Sequence, residues 1–219
     1  MNAFEPDTIQ IIHGTGISPT IRTVMAMLDC REDNPAYEEL LDIFNEHRPV
    51  IEKIIKPAGA FCPGELKRKG ANDDLTVGRR IIYSMSTIGP EVCAYIDECM
   101  KNDVFEGLIV DFMADSCLFL FEEQLKKSIR EYCNREGIGI LKSYEAPNLI
   151  PLETQKDAYE ALDAGNILGI EITGGYMLKP IKSNGHIYTI SEDPKEFNLQ
   201  HDCSACPMTT CPMRNMNLL

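Results

Sequence analysis

The sequence predicts an α+β protein, with a central, mostly antiparallel twisted sheet and helices packed around it. Apolar residues recur at helical spacing through most of the first two thirds of the chain. The last third holds short β-patterned runs joined by Gly and Asn turns, which suit antiparallel pairing. With 219 residues and 44% hydrophobic content, the chain can bury a core of its own. Helices segregated from an antiparallel sheet define the α+β class.

Residues 8–12 are β-branched enough for a short strand before a turn at 13–16. That turn lacks the third glycine and the Lys-Ser/Thr of a nucleotide-binding loop. Ile21, Val24, Met25 and Leu28 predict a helix over 17–30, with Ser18 as cap and Pro19 as first residue. Asn34 before Pro35 starts a second helix whose buried stripe is Tyr37, Leu40, Leu41 and Phe44. Pro49 ends it, or opens a further helix carrying Ile51, Ile54 and Ile55.

Pro57, Gly59, Pro63, Gly64 and Gly70 predict a long exposed loop over 57–74. A strand follows at 78–89, and Pro90 then opens a helix that turns Val92, Ile96 and Cys99 inward. The apolar run 107–111 has the signature of a buried strand, before a long helix over 113–133 with Leu118, Phe121, Leu125, Ile129 and Tyr132 in step. A strand at 137–141, an irregular stretch at 142–148, a helix at 153–162 and strands at 168–172, 176–179 and 186–190 complete the fold.

Composition excludes several functions. A net charge of −13 repels polyanions and argues against nucleic acid as a partner. The basic cluster Lys67-Arg68-Lys69 falls in the expected loop and reads as a solvated turn, or else as a docking point for an acidic protein. No apolar stretch reaches the ~18 residues that would cross a bilayer, so no membrane is expected. The opening Met1–Asp7 has neither a basic start nor an apolar run, so the expected location is cytoplasmic. His13, His47, His186 and His201 share no spacing, and no Ser or Cys sits in a nucleophile turn. Glu38-Glu39 and Glu122-Glu123 read as solvated helix faces, Tyr188 as core, and Asp111 as a strand-end acid or helix cap.

The strongest chemical signal lies at the chain end. Cys203, Cys206 and Cys211 fall within nine positions, in a segment that Pro207 and Pro212 keep out of helix. Two residues between the first pair let one turn aim both sulfurs at one centre, and four more bring the third round. Thiolates exclude magnesium and calcium, and the spacing with its following proline favours an iron-sulfur cluster, [4Fe-4S] in type. Zinc, with His201 as a fourth ligand, is the alternative. A fourth thiolate for the cluster would come from elsewhere, with Cys62 in the expected loop as candidate, or one iron would stay open. The expected organisation is a domain over 1–195 and a Cys-rich metal-binding tail over 196–219.

The order of several segments also carries a resemblance. Ser86-Thr87-Ile88-Gly89 precedes a helix, Leu108-Ile109-Val110-Asp111 precedes the long one, and Ile150-Pro151-Leu152-Glu153-Thr154-Gln155 opens a later one. Leu168-Gly169-Ile170-Glu171-Ile172-Thr173 and Met177-Leu178-Lys179-Pro180-Ile181-Lys182-Ser183-Asn184-Gly185 follow. In this order, residues 17–191 resemble the activation domain of cobalamin-dependent methionine synthase and its free-standing relatives. The resemblance implies an α+β fold that binds S-adenosylmethionine and supports reductive remethylation of cob(II)alamin. It also implies a donor site at an Arg-x-x-x-Gly-Tyr segment, whose positions here are Lys142, Ala146 and Pro147, so Lys142 is the candidate cofactor-binding residue. The expectation is a reactivation factor that docks a cobalamin-binding methyltransferase or corrinoid protein and passes it an electron from the cluster. The alternatives are a zinc-stapled, non-enzymatic binding module and an S-adenosylmethionine-binding activation domain.

Overall fold

The structure, a computed structural model, describes residues 8–200, Thr209 and Cys211. Its main sheet is built from β1 (Gln10–His13), β2 (Ala58–Glu65), β3 (Arg80–Thr87), β4 (Gly139–Tyr144) and the long C-terminal strand Ser183–Ser191. A two-stranded ribbon, β5 (Glu171–Ile172) with β6 (Leu178–Lys179), makes the C-terminal strand β7. The main sheet has the order β1-β2-β3-β7-β4, and every neighbouring pair is antiparallel. The expected fold class is therefore observed.

The helices are α1 (Ile21–Met27), α2 (Tyr37–Ile54), α3 (Pro90–Asn102), α4 (Val104–Glu136), α5 (Thr154–Ala161) and α6 (Ala164–Leu168). Strand alternation gives the sheet two buried faces. Phe61, Ile82, Ile140, Tyr188 and Ile190 point to the C-terminal half of α4, where they meet Leu125, Ile129 and Cys133. Ala60, Cys62, Tyr83, Met85 and Ile187 point the other way, to Ala158, Leu162 and Ala164 of α5 and α6. The N-terminal half of α4 joins α1, α2 and α3 in a separate helical core around Phe44, Ile51, Val92, Ile109 and Met113. Each of these fully buried Ile and Phe side chains contributes about 1.5–3 kcal/mol of hydrophobic stabilisation. No helix among the described residues is long and apolar enough to cross a membrane.

Four expectations are corrected. The run 107–111 is not a strand but part of α4, which begins at Val104 with the Asp103 carboxylate accepting from the Phe105 and Glu106 amides. A short apolar run looks the same in a strand and in a helix buried on several sides. Second, residues 58–65 of the expected loop form β2, buried for most of its length. Pro63 is tolerated because odd-numbered residues of β2 turn their polar groups toward β1, and β1 pairs no further than Phe61.

Third, α2 is one helix that passes through Pro49. The carbonyl that Pro49 cannot engage belongs to Asn45, and both residues face solvent, where water satisfies it. Fourth, α1 starts after Thr20, not Ser18, whose hydroxyl is taken up by Glu52 and Arg48 of α2. Smaller shifts follow the same pattern. Lys142 lies in β4, and the strand expected over 168–172 is only β5, with Leu168 closing the short helix α6.

Candidate functional site

The face of the sheet toward α4 carries a buried polar stripe. On α4, Asp111, Asp115, Glu122 and Lys126 fall at steps of four, seven and four, so they share one side of the helix. On β7 and the residue preceding it, Lys182, Asn184, His186 and Tyr188 alternate onto the same face. The two rows meet as ion pairs.

At one end, Lys182 Nζ lies 2.9 Å from Asp111 Oδ1 and 2.6 Å from Asp115 Oδ1, with the lysine buried and both carboxylates half-buried. In the middle, His186 Nε2 lies 3.2 Å from Glu122 Oε1, and Ser86 Oγ donates to the same oxygen at 3.1 Å. His186 Nδ1 stands 3.4 Å from Glu145 Oε1, beyond good hydrogen-bond alignment. Tyr188 stacks against the imidazole at 5.8 Å between ring centres.

Burial alone would raise the Glu122 carboxyl, but the facing His186, and Lys126 and Asn184 beside it, together outweigh burial and hold it below its ordinary value. Burial likewise works against a charged His186, yet Glu122 and Glu145 hold it above its ordinary value. The pair is thus ionised and mutually neutralised. Asp115 differs: burial raises it, Asp111 adds to the rise, and Lys182 only partly offsets both.

Glu122 was expected on a solvated helix face, and it is buried. Asp111 neither ends a strand nor caps a helix, but pairs with Lys182. Tyr188 is core, as expected. Lys182 carried no sequence signal of its own; its function as a counter-ion follows only from the approach of 182–186 to α4.

Lys142 lies on the opposite face of the sheet, paired with Thr189, its ammonium 5.7 Å from the centre of the Tyr144 ring. A bulge sets its neighbour Leu141 into a groove of about 330 Å³ with Gly78, Arg79, Arg80, Ile190, Ser191 and Glu192. Arg79 donates through Nη2 to the Ile190 carbonyl at 3.0 Å, and its buried Nε has no acceptor among the described residues. Lysine lacks the planar fork of the expected arginine, but Arg79, which lines this groove, has one. The basic cluster is not a simple solvated turn either, since Arg68 grips the buried Asp157 of α5 through Nε at 2.8 Å and Nη2 at 3.1 Å.

Of the tail, Cys211 is half-buried, while His201, Cys203 and Cys206 lie outside the described residues. The route to the tail is described. Phe197 bridges to Ile140, Leu199 enters the core beneath α4, and Gln200 Nε2 lies 3.5 Å from Glu123 Oε2. Gln200, three residues before Cys203, is therefore held against the residue that follows Glu122 on α4. Cys62 is not in a loop: it sits in β2, 3% exposed, its thiol 3.7 Å from the Ala161 carbonyl on the face away from Gln200. Its place in a strand removes the ground on which it was a cluster-ligand candidate, which was its expected position in a loop.

No family model and no curated protein matches the sequence. Among solved structures, a crystal structure of the MetH reactivation domain bound to AdoHcy aligns with 88% of this chain and 80% of its own, at a TM-score of 0.59 and 16% identity. The two chains share a fold. At this identity the likeness fixes the architecture, and the roles of individual residues rest on the geometry above. It agrees with the resemblance seen in the segment order from Ser86 to Gly185.

Proposed function

We propose that this protein reactivates a corrinoid protein during methyl transfer: its sheet domain docks a cobalamin-binding partner, and its terminal thiols hold the electron donor. The observation that carries the reading is the shared fold with the MetH reactivation domain over 88% of the chain. The thiol cluster and the place where its segment leaves the sheet add to it.

Cys203, Cys206 and Cys211 are the residues that would hold an iron-sulfur cluster, whose contribution is one electron at low potential for cob(II)alamin. Their donor set fits a soft metal centre and no hard cation. The 196–219 segment is then a metal-binding tail anchored through Phe197 and Leu199 to the domain before it. A charge of −13 suits a partner surface that is basic around the corrin.

The neighbouring domain was crystallised with AdoHcy bound. For S-adenosylmethionine here, Lys142 and Arg79 provide cations for its carboxylate, and the adjoining groove falls at the small end of ligand sites. The residues of the groove therefore fit the amino-acid end of that ligand. Once cob(II)alamin has gained an electron, the sulfonium methyl passes to the cob(I) state, leaving AdoHcy and methylcobalamin.

Metal and sulfide analysis of anaerobically purified protein tests the donor. The expected result is brown protein with about four irons and as many sulfides, lost on Cys203→Ser or Cys206→Ser. Colourless protein with one zinc would replace the donor by a structural staple at His201, Cys203, Cys206 and Cys211.

A further inference from the structure

At the N-terminal end of α4, three ligand types converge from three elements. His47 of α2, Cys99 of α3 and Glu106 of α4 bring a ring nitrogen, Sγ and a carboxylate oxygen within 4.8 Å of one another. The meeting is built by backbone. Asp103 joins α3 to α4, its amide donating to the Cys99 carbonyl at 2.8 Å and its carboxylate capping α4. Gly107 lets the two helices touch, since a Cβ there would stand 2.6 Å from the Met100 nitrogen. Cys99 and Glu106 are thereby held face to face, and His47 enters from α2.

We propose that His47, Cys99 and Glu106 form a binding site for a divalent transition cation of the zinc class. Imidazole, thiolate and carboxylate are a three-ligand set that leaves a fourth position for water, and the sulfur excludes magnesium and calcium. Tetrahedral zinc would bring the ligand atoms to roughly 3.3–3.8 Å from one another. The pair His47 Nε2 and Glu106 Oε1 already stands at 3.2 Å.

The surroundings are those of a ligating histidine. Its other nitrogen, Nδ1, lies 2.7 Å from Tyr95 Oη, the outer contact that fixes ring and tautomer at metal sites. His47 and Cys99 are buried, while the Glu106 side chain is 35% exposed and gives the cation a way in. Cys99 packs in the helical core with its thiol against the same Tyr95 hydroxyl, so the tyrosine holds both the imidazole and the sulfur in place.

Binding is balanced in protons. Without metal, Nε2–H donates to Glu106 and Nδ1 accepts from Tyr95. With metal, the imidazole stays neutral with its proton on Nδ1, and the Cys99 thiol releases one proton to solvent.

Cobalt(II) titration of the full chain carrying Cys203→Ser, Cys206→Ser and Cys211→Ser tests the site apart from the tail. One equivalent should bind with a thiolate-to-cobalt absorption band. In this background Cys99→Ser should abolish the band, and Tyr95→Phe should weaken binding about ten- to a hundredfold. Glu106→Gln, at a half-exposed position that leaves the fold intact, should weaken it by at least the same factor. The proposal is overturned if the parent binds no stoichiometric cobalt, if the band survives Cys99→Ser, or if Glu106→Gln binds as tightly as the parent. None of these outcomes bears on the reactivation function, which uses none of the three ligands.

Discussion

Glu122 and His186 tie α4 to β7 through one 3.2 Å contact between buried charges. Breaking such a pair leaves an uncompensated ion, so Glu122→Gln is expected to cost about 3–5 kcal/mol, measured by denaturant unfolding. The pair also sets a pH window. Because His186 is held above its ordinary 6.5, its contribution is complete below that pH and disappears as pH rises through the folded value. Because Glu122 is held below its ordinary 4.5, its contribution is present above that pH and lost as pH falls through the folded value. Thermal stability from this pair should peak between pH 4.5 and 6.5, and the decline above 6.5 should flatten in His186→Gln. A melting curve that is equally steep in the variant would remove His186 as its cause. Lys182→Met is expected to cost a further few kcal/mol, about 3, by stranding Asp111 and Asp115 against each other. None of this was legible from the residues alone. Glu122 beside Glu123 has the look of a solvated face, and only the contact with β7 separates the buried acid from its half-buried neighbour.

At the scale of elements, β3, α3, α5 and most of β7 were legible, because their apolar spacing and the Pro90 start are local signals. β2 and the first turns of α4 were not. The proline and glycines of β2 argue for a loop until the short reach of β1 is known, and the run Leu108-Ile109-Val110 reads as strand until the helical core around it is seen. The segment that leads to the tail is an element with a test of its own. A Cβ on Gly139 would stand 2.1 Å from the Asp193 carbonyl and 2.6 Å from that of Glu196. Gly139→Ala must therefore push residues 193–196 off the start of β4. It is expected to destabilise the fold by about 1–3 kcal/mol and to raise amide exchange at Ile140 and Asn198, whose amides join this segment to β4, while exchange in α1 and α2 stays unchanged.

At the scale of the molecule, one helix connects two chemically distinct ends. The first turns of α4 join the His47-Cys99-Glu106 cluster and the Lys182 ion pairs, and its middle turns carry the Glu122–His186 pair and, next to it, Glu123, which Gln200 approaches. The thiols themselves were the clearest functional signal in the sequence, since ligand spacing is local, whereas the face on which their segment leaves the sheet depends on contacts nearly eighty residues away, from Gln200 to Glu123. The S-adenosylmethionine reading belongs to the opposite face. Titration calorimetry should show binding that Lys142→Ala and Arg79→Ala each weaken about tenfold or more, the loss of one charge-assisted contact. The most direct measurement of the central claim is anaerobic absorbance of cob(II)alamin mixed with the prereduced protein and S-adenosylmethionine. The account predicts conversion to methylcobalamin, abolished by Cys203→Ser and Cys206→Ser; unchanged cob(II)alamin with the intact protein, or conversion that persists in both variants, would contradict it.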